Sequence, residues 1–184
     1  MNPNEYKILN LFRREDKPLF FREISKKSKV SIGGTQKVLA NYSKFFDKEI
    51  KGRNTYYSIK KGITKFNYNK LIEVERTIRF LDKNNILMDF FEKLVEMEIP
   101  CLIFGSYASL TNNKESDLDL LILSEKKIPE HLCPNKLHII RVNKKEFEKS
   151  LKLKENLFKE IRGNHVLIFD SDYFLEVFNK YEKD

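Results

Sequence analysis

Apolar positions at the front of the chain recur at helical spacing. Between Glu5 and Glu15, Tyr6, Ile8, Leu9, Leu11 and Phe12 fall largely on one face, and Pro18 closes the segment. Phe21-Arg22-Glu23-Ile24-Ser25-Lys26-Lys27-Ser28 suits a short second helix. Ser31 then stands as an N-cap for a third, running from about Ile32 to Phe45. Gly33 and Gly34 at the start of that helix lower its intrinsic stability by about 1 kcal/mol each relative to alanine. Glu49-Ile50, a turn around Gly52-Arg53-Asn54 and the aromatic run Thr55-Tyr56-Tyr57-Ser58-Ile59 read as a hairpin, with both tyrosines packing it. Residues 66–98 carry two further amphipathic helices. Leu71, Val74, Ile78 and Leu81 form one stripe; Ile86 or Leu87, Phe90 or Phe91, and Leu94 or Val95 form the other, with the break at Asp82-Lys83-Asn84-Asn85. Both stripes are expected to pack into a core, and the first also suits a connector or a dimerisation helix.

Beyond residue 98 the pattern changes to short apolar runs. Ile99-Pro100-Cys101-Leu102-Ile103-Phe104 reads as a buried strand ending at Gly105-Ser106, with Tyr107-Ala108-Ser109-Leu110 starting a helix. Glycine at such a turn lets the backbone approach a ligand, and unpaired N–H groups behind it suit anionic oxygens. Leu118-Asp119-Leu120-Leu121-Ile122-Leu123 is a second strand. Its alternation puts Asp117 and Asp119 on one face, roughly 6 to 7 Å apart along the chain. Two carboxylates so placed can share divalent cations, and Mg²⁺ sites usually combine one or two carboxylates with substrate phosphates. An Asp-x-Asp alone is commonly a solvated strand end, and a Gly-Ser alone says less. Joined by a short connection and each flanked by a hydrophobic strand, the two point to nucleotidyl transfer, with Ser106 and nearby N–H groups on the phosphates.

Gly105-Ser106 followed, after ten intervening residues, by Asp117-Leu118-Asp119 resembles the signature of the polymerase-beta-like nucleotidyltransferase superfamily, and in length its minimal members. The resemblance covers about residues 84–184. It includes His165-Val166-Leu167-Ile168-Phe169 and Tyr173-Phe174-Leu175-Glu176-Val177-Phe178, which are similar to the closing strand and helix of minimal members. It implies Mg²⁺-dependent (or Mn²⁺-dependent) transfer of a nucleoside monophosphate from a triphosphate, with ATP the expected donor, and release of pyrophosphate. Some minimal members are antitoxins that adenylylate a HEPN-type toxin, and others modify small molecules such as aminoglycosides. Asp117 and Asp119 would then be catalytic metal ligands, with Gly105 and Ser106 binding the nucleotide.

Two positions depart from that family pattern. Many members carry Arg-Gly shortly after Gly-Ser, where this chain has Ser109-Leu110. A third carboxylate, common on a later strand, is missing: no Asp or Glu occurs between Glu130 and Glu146, and the later strand is expected at Leu137-His138-Ile139-Ile140-Arg141-Val142. His138 lies at about the right place. A neutral imidazole there could accept the acceptor's proton; the other reading is an ordinary strand histidine. Arg141 either meets a phosphate or ends the strand.

Charge sharpens the picture of the front segment. The chain carries 35 Lys and Arg against 27 Asp and Glu, a net +8; residues 1–65 hold 16 basic and 6 acidic residues, so the rest is slightly acidic. A basic surface attracts phosphate backbones without specifying sequence. The order of elements there resembles a winged helix-turn-helix. That implies Thr35, Gln36 and Lys37 near base edges of duplex DNA, with Lys51 and Arg53 at the wing on phosphates. The same residues could instead solvate a helix face, and such domains also dock proteins. A homodimer would suit a two-fold DNA site.

The expectation is therefore an α+β protein: a winged helix-turn-helix over 1–65, a helical connector over 66–83, and a nucleotidyltransferase domain over 84–184 with a mixed sheet flanked by helices. The competing expectation is a DNA-binding regulator or antitoxin whose transferase domain is inactive and serves as ligand sensor or docking surface. Cys101 and Cys133 give neither metal-ligand spacing nor a disulfide framework. No apolar run approaches ~20 residues and the N-terminus has no signal-peptide pattern, so a cytoplasmic protein without a membrane segment is expected. Asp170-Ser171-Asp172 is expected to cap the last helix rather than bind metal.

Overall fold

The computed structural model describes residues 1–13, 15 and 17–181 and divides into two units, Met1–Glu75 and Arg76–Asp184. In the first unit α1 (Pro3–Arg13) begins at a reciprocal cap. Glu5 N–H donates to Asn2 Oδ1 at 3.0 Å, and Asn2 N–H donates to Glu5 Oε2 at 2.9 Å. Apolar periodicity starts this helix at Glu5; polar capping residues, which carry no periodicity, extend it to Pro3. Its expected end near Glu15 passes Arg14, which lies outside the described residues.

After β1 (Leu19–Phe20) and α2 (Phe21–Ser28), α3 (Ile32–Asn41) opens on Ser31, whose Oγ accepts the Gly34 N–H at 3.2 Å. Both glycines lie inside α3. A Cβ on Gly34 would come within 2.9 Å of Val30 Cγ1, so the close turn between α2 and α3 favours glycine there. The helix stops short of Phe45. A 3₁₀ turn over Ser43–Phe45 intervenes, and the buried Phe46 already belongs to β2 (Phe46–Lys51). β3 (Asn54–Ile59) pairs antiparallel with β2, with Lys51 opposite Asn54, leaving Gly52-Arg53 as a two-residue turn with Gly52 at φ +61. The sheet order is β1-β3-β2. Ile8, Leu9 and Phe12 of α1 meet Ile24, Val38, Leu39 and Phe46 in this unit's core.

The division between units falls inside α4 (Ile63–Lys83). Most of the sequence stripe on this helix is not its buried face: Leu71, Val74 and Ile78 are 39%, 52% and 50% exposed, Leu81 packs half-buried on the second unit's core, and Tyr68, Ile72 and Phe80 are buried. The buried face carries polar residues that find partners, which hides it from a hydrophobic count. Glu73 pairs with Arg13 at 2.8 Å, and Arg76 donates to the His165 carbonyl at 2.5 Å. Tyr68 Oη donates to the Leu9 carbonyl.

The second unit supplies the α+β architecture. It contains α5 (Met88–Glu96), β4 (Cys101–Ile103), α6 (Gly105–Ser109), β5 (Leu118–Ile122), β6 (Leu137–Arg141), α7 (Lys144–Lys152), α8 (Asn156–Gly163), β7 (Val166–Phe169) and α9 (Ser171–Lys180). The strands form a mixed sheet in the order β6-β5-β4-β7; β5 and β6 are parallel and the other pairs antiparallel. Leu87, Phe90, Phe91 and Leu94 pack on Cys101, Ile103, Leu118, Leu120 and Ile122 on one face of the central strands, and Leu102 and Leu121 on the other face are also buried. Burial pushes the Cys101 thiol up to about 12. Asp170 occupies the N-cap position of α9 at φ +58 but makes no capping bond; its carboxylate instead meets Lys144 Nζ at 3.0 Å. Among the described residues, no helix is long and apolar enough to cross a membrane.

Candidate active site

Strand register brings the glycine turn onto the acidic strand. β4 and β5 run antiparallel with Ile103 opposite Leu120, so the residue after β4 meets Asp119: Phe104 N–H donates to the Asp119 carbonyl at 3.1 Å. Gly105 follows at φ +66, in the left-handed region. A Cβ built there would overlap Asp119 Oδ2 and lie 2.9 Å from Asp119 Cγ. The carboxyl group thus rests in the space that a side chain at position 105 would fill. Ser106 lies in the first turn of the short α6, and its carbonyl accepts the Thr111 N–H at 3.0 Å, drawing the turn closed.

Asp117 precedes β5 by one residue and Asp119 is its second residue, so the alternation that buries Leu118 and Leu120 turns both carboxylates to the other face. Each meets a basic side chain, one from the parallel neighbour β6 and one from the residue just before it. Asp119 is paired in register with His138, and His138 Nδ1 lies 2.8 Å from Asp119 Oδ1. Lys136 Nζ lies 3.2 Å from Asp117 Oδ2, and the Leu118 N–H donates to the Lys136 carbonyl at 2.8 Å, pinning that backbone beside the acidic strand. Asn135 Nδ2 donates to the phenol oxygen of Tyr107 at 2.9 Å, tying the approach to β6 to the helix behind Ser106.

Gly105, Asp117, Asp119 and His138 therefore meet at one end of β5, with Ser106 in the adjoining turn. Lys136 is the residue that sequence reasoning passed over. The alternation that turns His138 toward Asp119 also turns Lys136 to the same face, two positions earlier, and could have found it. Arg141 is resolved as a strand end: it donates to the Lys126 carbonyl at 2.9 Å and faces Glu130.

The donor chemistry fits a divalent ion. Two carboxylates supply hard oxygens of the kind that Mg²⁺ and Mn²⁺ take. Among the described residues no group of three His, Cys, Asp or Glu side chains is disposed to hold a metal by itself. Sites that complete their coordination with substrate phosphates need fewer protein ligands.

In the first unit, Gln36 and Lys37 are exposed on α3, and Lys51 and Arg53 are exposed at the hairpin. Thr35 is a correction. It is fully buried, because the inward face of α3 repeats at Thr35, Val38 and Leu39, and its hydroxyl donates to the Val30 carbonyl at 3.5 Å; it cannot contact bases. Lys51 pairs with Glu49 at 3.0 Å. Arg22, Gln36, Arg53 and Asn54 share the lining of an open cleft of about 470 Å³.

Residues 85–177 match the family model described as Nucleotidyltransferase domain. No curated protein and no solved structure gives a match.

Proposed function

The chain belongs to the nucleotidyltransferase domain family, and from that premise we propose that it transfers a nucleoside monophosphate, AMP from ATP in the leading case, to a protein or small-molecule acceptor. The observation that carries the proposal is the seating of the Asp119 carboxyl in the space left by the absent side chain of Gly105, beside Ser106. It supports a phosphate turn and a metal-binding carboxylate working on one substrate.

In this reading Asp117 and Asp119 hold Mg²⁺ or Mn²⁺ together with the triphosphate. The ion, when bound, neutralises phosphate charge and makes the attacking hydroxyl more acidic. Ser106 donates its hydroxyl to a phosphate oxygen, and Gly105 allows close approach of the backbone. His138 keeps Nδ1 on Asp119, which leaves Nε2 to take the acceptor's proton. The acceptor oxygen would attack the α-phosphorus, the bond from that phosphorus to the α,β-bridging oxygen would break, and pyrophosphate would leave with the bridging oxygen.

The first unit is read as a winged helix-turn-helix that binds duplex DNA through Gln36, Lys37, Lys51 and Arg53. The element order and the shared cleft of α3 and hairpin residues support this. A homodimer on a two-fold site and a HEPN-type toxin as protein acceptor belong to the same reading.

One observation favours a second reading, an inactive domain that senses ligand or docks a partner: β6 and the residue before it present His138 and Lys136 to the aspartates and no acid. Incubation with α-labelled nucleoside triphosphates and Mg²⁺ separates the two. Metal-dependent label on the protein, a co-purifying partner or a small molecule supports transfer. Nucleotide binding without any label supports the sensor, and absence of both binding and label defeats the transfer proposal.

A further inference from the structure

β6 and the residue just before it address each of the two aspartates with a basic side chain, and the two interactions differ in what they leave free. His138 is paired with Asp119 in the sheet register and sits against the ring of Phe104, with centroids 6.5 Å apart. Lys136 is 81% exposed and touches Asp117 through the end of a long flexible chain, while its own backbone is fixed by the Leu118 N–H. Its ammonium can therefore leave the carboxylate without disturbing the sheet. An ammonium 3.2 Å from Asp117 Oδ2 occupies the carboxylate oxygen that a divalent ion would need, and opposes the ion by its charge. A triphosphate held at Gly105 and Ser106, as the nucleotidyl-transfer reading has it, would offer that ammonium a more highly charged anion than the single carboxylate.

We propose that Lys136 holds Asp117 in the nucleotide-free protein and passes to the triphosphate when nucleotide arrives, so that the divalent ion enters with the nucleotide rather than ahead of it. The proposal rests on the nucleotidyl-transfer reading of this site and assigns Lys136 as a phosphate-binding residue. One side chain thereby competes with the free metal and assists the metal–nucleotide complex.

The test is equilibrium binding to the full chain, with Mn²⁺ followed by the electron paramagnetic resonance of the free ion. Mn²⁺ is titrated alone and then with a non-hydrolysable triphosphate analogue, in wild type, Lys136→Met and Lys136→Arg, each checked by circular dichroism. An exposed charge pair of this kind accounts for up to about fivefold in affinity. Lys136→Met should tighten binding of Mn²⁺ alone by up to about that factor and weaken the Mn²⁺–analogue complex by a similar one; Lys136→Arg should restore both wild-type values. Equal effects on both titrations, or no effect on either, overturn the role of Lys136 while leaving the site's nucleotide binding intact. Failure of wild type to bind the analogue with Mn²⁺ overturns the transfer reading itself and this inference with it.

Discussion

Gly105→Ala places a methyl group where the Asp119 carboxyl lies, and the structure separates its cost into two parts. At φ +66 an L-residue loses roughly 1–2 kcal/mol to left-handed backbone strain. The new Cβ also overlaps Asp119 Oδ2 and lies 2.9 Å from Cγ, and such overpacking costs typically about 1–3 kcal/mol more. The expected destabilisation is about 2–5 kcal/mol. A double-mutant cycle isolates the second part. In an Asp119→Ala background only the Cβ of residue 119 remains, 3.3 Å away, so Gly105→Ala should there cost little beyond the backbone strain. Native-state hydrogen exchange at the amides of β4 and β5 reads the opening free energy of this unit alone. The predicted coupling is about 1–3 kcal/mol. An equal cost of Gly105→Ala in both backgrounds would show that the carboxyl does not sit against the glycine, and the site geometry would be wrong.

Three further outcomes are expected. Asp119→Asn should abolish metal-dependent label transfer while leaving far-UV circular dichroism unchanged; full activity in that variant sinks its assignment. Replacing Lys51 and Arg53 by alanine should weaken duplex DNA binding across sequences and reduce the salt slope by about 1 for each phosphate no longer neutralised, measured by filter binding; an unchanged slope removes both residues from the interface. Cys101 titrates at about 12 in the folded protein against an ordinary value of 9.0. Its buried thiol therefore stabilises the fold fully below pH 9, and that contribution disappears as pH rises toward 12, at up to about 1.4 kcal/mol per pH unit. Cys101→Ala should flatten the alkaline stability profile by that amount in urea titrations, and an identical profile would contradict the burial.

The parts of this protein that were legible in its sequence are those where one signal dominates. The β4 and β5 runs are uniformly apolar because both faces of central strands are covered, and Gly105-Ser106 and Asp117-Leu118-Asp119 interrupt them near the strand ends. Ser31 as an N-cap and the Gly52 turn were legible for the same local reason. Polar burial was the blind spot. Glu73 and Arg76 lie inward on α4 because Arg13 and the His165 carbonyl receive them, so the apolar stripe at Leu71, Val74 and Ile78 pointed to the wrong face. Thr35 likewise looked like a DNA-binding residue because it falls at the start of the helix that the winged helix-turn-helix resemblance sets against base edges, yet the period of α3 turns it inward. Lys136 needed the β5–β6 register, since nothing in the sequence states which strand lies beside Asp117.

A crystal structure of the protein with a non-hydrolysable triphosphate and Mg²⁺ tests the central claim most directly. The account predicts a metal ion shared by the Asp117 and Asp119 carboxylates and phosphate oxygens, with the phosphates against Gly105 and Ser106. Nucleotide bound elsewhere, or phosphates at the turn with both aspartates left out of the metal's coordination, would contradict it.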